Sequence, residues 1–90
     1  MSQLIKVMLT DDHAVVRSGL CRLLEQNAEI KVIAEAESGE QAYQTYPDNK
    51  PDVLVMDMSM PGMGGLEALR RILHRWPDAR VIMFSMHENA

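Results

Sequence analysis

Ile5-Lys6-Val7-Met8-Leu9-Thr10-Asp11-Asp12 and Val53-Leu54-Val55-Met56-Asp57 are two short apolar runs, rich in branched side chains, that both end on acid. Runs of this length and composition read as buried strands of a parallel sheet. If both belong to one sheet and run the same way, three carboxylates meet at one edge. Like charges at about 5 Å in an effective dielectric of 20 repel by roughly 3 kcal/mol per pair, so the cluster requires a cation or a proton.

Outward from these runs, Val- and Ile-rich segments at 4–10, 30–36, 53–57 and 80–86 alternate with segments of helical apolar spacing. The alternation predicts repeated βα units and a doubly wound α/β fold with a parallel sheet. Val16, Leu20, Leu23 and Leu24 share one face of a helix expected over 14–27 and packed on the sheet. Ser38-Gly39-Glu40-Gln41 has a capping-box pattern that opens a second helix, carrying Ala42, Tyr43 and Tyr46 and stopped by Pro47. Gly64-Gly65 precedes Leu66, Leu69, Leu73 and Trp76, the expected buried face of a third helix ended by Pro77.

The chain closes at His87-Glu88-Asn89-Ala90, directly after the fourth apolar run. The expectation is a fold cut after its fourth strand, with residues 80–86 as an apolar edge and one face of the first helix uncovered. Such surfaces invite pairing, so a homodimer, a strand-exchanged oligomer or poor solubility is expected.

Ninety residues, 47% of them hydrophobic, make one small domain. The single cysteine, Cys21, excludes an internal disulfide framework and reads as a small apolar helix residue in a reducing compartment. With no leader-like start and no long apolar stretch, a soluble cytoplasmic protein with no membrane association is expected. A net charge of −4 argues against direct nucleic-acid binding by this segment, and Arg70, Arg71, Arg75 and Arg80 read as a solvated helix face.

The acids lie where parallel α/β sheets bind ligands, beyond the carboxyl ends of the strands. Oxygen ligands without a cysteine or histidine cluster suit Mg²⁺. A carboxylate beside such an ion can attack phosphorus, and Asp57 is the best candidate, followed by the Pro/Gly-rich loop Met58-Ser59-Met60-Pro61-Gly62-Met63-Gly64-Gly65. Ser85, at the end of the fourth run, could donate to a phosphoryl oxygen. An Asp after a strand is most often a turn former or cap, but three acids and a hydroxyl at matching strand ends argue for a site. His13 is expected to cap or pack at the first helix start rather than touch metal or phosphate.

Leu9-Thr10-Asp11-Asp12-His13, the stretch Asp57 to Gly65, and Phe84-Ser85-Met86 together resemble the receiver domain of two-component response regulators. The stretch from Asp11 to Leu24 further resembles the subgroup whose receivers precede a LuxR-type helix-turn-helix output domain. The resemblance implies a flavodoxin-like fold, four strands and three helices of which are present, the fifth strand and last helices being absent. It implies that Asp57 accepts a phosphoryl group from a sensor histidine kinase. Asp12 would bind Mg²⁺ directly, Asp11 largely through water, and Asp57 and the main-chain carbonyl of Ser59 would complete the ligands. Ser85 matches the switch hydroxyl, and the output domain would regulate transcription. The domain would assist its own phosphorylation without being a free-standing enzyme. The family's phosphate-pairing lysine has no counterpart in Lys6, Lys31 or Lys50, so weak phosphotransfer is expected of these 90 residues.

Other classes fit less well. Asp11-Asp12-His13 begins like the Asp-x-His-x-x-Gly pattern of cobalamin-binding domains, but position 16 is Val. The Asp-x-Asp pattern of haloacid-dehalogenase-type enzymes fails at Ser59. A phosphorylation-independent interaction module of the same fold is the remaining alternative.

Overall fold

The computed structural model describes residues 4–85; Met86 and residues 87–90, assigned above to the end of the last strand and the close of the chain, lie outside the described residues. The order is β1 (Ile5–Thr10), α1 (Ala14–Glu25), β2 (Ile30–Ala36), α2 (Gly39–Asn49), β3 (Val53–Asp57), α3 (Gly64–Arg75) and β4 (Val81–Phe84). All strand pairs are parallel, in the order β2-β1-β3-β4. The doubly wound α/β expectation therefore holds, and strand order reverses between β1 and β3. Right-handed crossovers then place α1 on one face of the sheet and α2 with α3 on the other.

Strand β1 is central, and Val7, Met8, Leu9 and Thr10 are all buried, as expected of a strand covered on both faces. In β3 only one face is sealed: Leu54 and Met56 are buried against α2 and α3, whereas Val53 and Val55 are half-buried. Val55 pairs with Ile82 of β4, which is 57% exposed. Among the described residues β4 is thus an edge strand, as expected, and Val15 and Leu23 of α1 are exposed. Helix α1 ends two residues early, its last turn tightened by Gln26 N–H to Leu23 O and Asn27 N–H to Leu24 O. It buries none of its side chains fully, and Leu23 is 60% exposed rather than packed on the sheet.

Ser38 caps α2 as its sequence pattern predicts, its Oγ accepting from Gln41 N–H, while Gln41 Oε1 accepts from Glu37 N–H. Pro47 does not stop this helix, which runs on to Asn49. A proline removes only its own donor, and the following residues keep theirs: Lys50 N–H closes the helix onto Tyr46 O from a left-handed conformation. The turn is also held from outside, because Tyr46 and Tyr43 pack against Trp76 at ring-centroid distances of 4.9 and 5.5 Å.

The buried face of helix α3 is turned from the expected one by less than one residue step, so that only part of the two faces coincides. The buried positions are Gly65, Ala68 and Ile72, with Leu69 and Trp76 packed against the core; Leu66 and Leu73 face solvent. The leucine spacing was misleading because small residues, not large ones, let the start of the helix approach the end of β3. Replacing Ile72 by Ala is expected to cost about 2–5 kcal/mol, and Leu66 by Ala within about 0.5 kcal/mol, in urea unfolding. Equal losses would contradict the observed face.

On the solvent side of α3, Glu67 accepts from Arg70 and Arg71, and these bonds lower its pKa from 4.5 to about 2. A depressed folded-state pKa gives stability that is present above pH 4.5 and lost as pH falls toward 2. Glu67→Gln is expected to flatten the acid limb of the stability profile in that window, by an amount that added salt reduces.

Candidate functional site

One step beyond the pair Thr10↔Met56, the parallel register sets Asp11 beside Asp57. Both are buried, at 0% and 2% exposure, and one donor atom each from Asp11, Asp12, His13 and Asp57 lies within 4.8 Å of the others. The three acids converge at the point where strand order reverses, where the sheet parts and a ligand can enter. Ser85 follows Phe84, the register partner of Asp57, on the same edge, and Met58 N–H donates to Phe84 O.

Backbone donors orient two of the carboxylates. His13 N–H donates to Asp11 Oδ1 at 2.7 Å and Ser59 N–H to Asp57 Oδ1 at 3.0 Å, so each acid makes an Asx-type turn with the residue two positions on. Asp11 N–H is held in turn by Ala36 O of β2. Arg17, which the sequence reading passed over, fastens the opposite wall. Its Nη1 donates to Asp11 O at 2.6 Å and its Nε to Glu35 Oε1 at 2.8 Å, tying α1 to the ends of β1 and β2. Its position on a helix flank carries no such signal, because Glu35 comes near only through sheet pairing.

Asp11 Oδ2 and Thr10 Oγ1 are buried with no hydrogen-bond partner among the described residues. Asp12 Oδ1 also lacks one, although His13 Nδ1 stands 3.0 Å away. Buried carboxylate oxygens without donors are costly, so the pocket is electrostatically incomplete by itself. A hard divalent cation fits this oxygen set. His13 departs from expectation: it occupies the N-cap position of α1, but its side chain makes no cap bond and turns its Nδ1 to Asp11 and Asp12.

The loop after Asp57 is closed by backbone packing. Gly64 has φ 75°, a left-handed conformation that favours glycine, and a Cβ on Gly65 would strike the Asp57 carbonyl and lie 2.7 Å from Met58 Cα. Met60 turns inward and is buried, while Ser59 stays at the surface. Cys21 sits half-buried on α1, its thiol pKa raised by burial and then by Glu25 and Glu35. An apolar cleft of about 400 Å³ between Tyr46, Pro51, Trp76 and Pro77 lies at the amino ends of the strands, away from the acids. Among the described residues no helix is long and apolar enough to cross a membrane.

The family model described as the response regulator receiver domain matches residues 7–90. The chain belongs to this family. It is 49% identical over 84 residues to the response regulator UvrY of Escherichia coli (strain K12), which covers 93% of this chain and 38% of that protein. The structure of a LuxR-family two-component response regulator from Aurantimonas sp. SI85-9A1 aligns with TM-score 0.91 and 41% identity, over 97% of this chain and 62% of that one. The CheX–CheY–BeF3–Mg²⁺ complex from Borrelia burgdorferi aligns with TM-score 0.83 and 28% identity, over 94% and 64% of the two chains. The chain thus spans well under half the length of UvrY. Its receiver fold is flavodoxin-like, and the relatives it matches include response regulators, one of them a LuxR-family two-component regulator of known structure.

Gly65→Ala must push the start of the α3 helix away from the end of β3, because the atoms it meets are backbone. The expected outcome is a loss of about 1–3 kcal/mol in thermal unfolding, with NMR shifts at Asp57, Met58 and Ser59. A variant as stable as the parent, with those amides unmoved, would contradict the close approach.

Proposed function

We propose that Asp57 accepts a phosphoryl group from a phosphohistidine on a sensor histidine kinase, with Mg²⁺ held by Asp11, Asp12, Asp57 and the Ser59 main-chain carbonyl. The observation that carries this reading is the convergence of three carboxylates, two of them buried, with an unpartnered oxygen on Asp11. That the related CheY was solved with BeF3 and Mg²⁺ supports the same ligand chemistry here.

Ser59 N–H holds one oxygen of Asp57 and fixes the carboxylate plane, leaving the other to attack. An Asp57 oxygen forms a bond to phosphorus as the bond from phosphorus to the histidine nitrogen breaks, and the imidazole leaves with its electron pair. Bound Mg²⁺ would offset the negative charge of the carboxylates and the arriving phosphoryl group. Asp11, pinned by His13 N–H and Ala36 O, keeps the adjoining wall rigid. Ser85, at the end of the neighbouring strand, is the hydroxyl proposed to turn toward the phosphoryl oxygens and shift the domain between two states.

In this reading the domain is a switch and not a turnover enzyme. Residues 1–90 form the amino-terminal portion of a phosphoacceptor receiver in a cytoplasmic transcription regulator, whose DNA-binding output lies outside this segment. The likeness to UvrY and to the LuxR-family structure supports that placement.

The test is incubation of the chain with acetyl phosphate and Mg²⁺, read by intact mass, beside NMR of the Asp11–His13 and Asp57–Ser59 amides during Mg²⁺ titration. The expected result is a slow, Mg²⁺-dependent gain of one phosphoryl group that Asp57→Asn abolishes, and Mg²⁺-induced shifts confined to those amides. Absence of both signals would favour a phosphorylation-independent interaction module.

A further inference from the structure

His13 is the polar side chain of the pocket that phosphoryl transfer leaves without a task. Its Nδ1 stands 3.0 Å from Asp12 Oδ1 and 3.3 Å from Asp11 Oδ1. Neighbouring ligands on a six-coordinate ion with bonds of about 2.1 Å are separated by about 3.0 Å, and opposite ones by about 4.2 Å. The histidine nitrogen therefore already stands one ligand edge from two carboxylates. All four donor atoms lie within 4.8 Å of one another, so the widest pair need close by no more than about 0.6 Å to share one ion.

Two further features permit that use. The His13 side chain is 68% exposed and makes no cap bond, so most of the ring faces solvent with its Nδ1 already toward the acids. If Nδ1 binds metal, Nε2 carries the proton, and on an exposed ring that proton can be given to water. Asp11 Oδ2, buried and without a donor, independently marks the pocket as short of a positive partner.

We propose that His13 Nδ1 is a nitrogen ligand, so that this pocket binds a borderline divalent transition ion of the nickel or cobalt class more tightly than Mg²⁺. The inference rests on the cation-pocket reading of Asp11, Asp12 and Asp57. An imidazole adds little for Mg²⁺, which prefers oxygen, but raises affinity for ions later in the first transition row. The presence of His13 thus changes which metals the acids select.

The experiment uses a chain carrying His74→Ala and His87→Ala, so that His13 is the remaining histidine. Ni²⁺ and Mg²⁺ affinities are measured by calorimetry, and Co²⁺ is added for paramagnetic NMR. Expected are Ni²⁺ binding at least about tenfold tighter than Mg²⁺ and a strongly shifted non-exchangeable ring C–H resonance of His13 with Co²⁺. His13→Ala, and His13→Ser with its better capping side chain, should each weaken Ni²⁺ about tenfold or more, change Mg²⁺ less than about twofold, and remove the shifted resonance. Retained Ni²⁺ affinity in both variants, or equal loss of both metals, overturns the inference and leaves the Mg²⁺ pocket standing. A chain that binds neither metal overturns both.

Discussion

Parallel pairing of β1 with β3 is the constraint on which the rest depends. It places Asp11 next to Asp57 at the end of two buried strands, where repulsion between the acids would otherwise keep them apart. Backbone donors offset part of that cost: His13 N–H and Ser59 N–H each hold one carboxylate oxygen, and Ala36 O holds the Asp11 amide. What these bonds do not satisfy, above all Asp11 Oδ2, is the capacity left for a cation.

The packing serves the same end. Gly65 and Ala68 bring α3 hard against the end of β3, and Ile72 anchors the helix in the core below. The loop from Met58 to Met63 is thereby stretched over a fixed span, with Met60 turned inward. On the other wall, Arg17 joins the Asp11 carbonyl to Glu35 and so couples α1 to two strands through one long, nearly buried side chain. The acids are held by backbone donors on their side of the pocket, while β4, followed by Ser85, lies at the edge of the sheet among the described residues.

Much of this was legible in the residues. The Val/Ile runs located all four strands, the first three nearly to their bounds and the fourth as the shorter Val81–Phe84, because buried parallel strands have no solvent face to interrupt their apolar pattern. Ser38 and Gln41 announced the start of α2, since capping is local chemistry. Helix faces were less legible. Leucine spacing pointed to Leu66 and Leu73, but the close approach required Gly65 and Ala68, whose small size carries little weight in a hydrophobic pattern. Pro47 misled for a related reason: the helix around it is held by Tyr46 and Tyr43 against Trp76, a contact between distant parts of the chain.

The sequence by itself determined the fold class and the meeting of Asp11, Asp12 and Asp57, because alternating βα units leave a parallel sheet as the way to bury every apolar run, with the acids at the strand ends. Only the tertiary structure decided the surroundings of those acids. The turn of His13 toward them, the reach of Arg17 to Glu35 and the unpartnered oxygen of Asp11 depend on distances between segments far apart in the chain, and no local pattern encodes such distances.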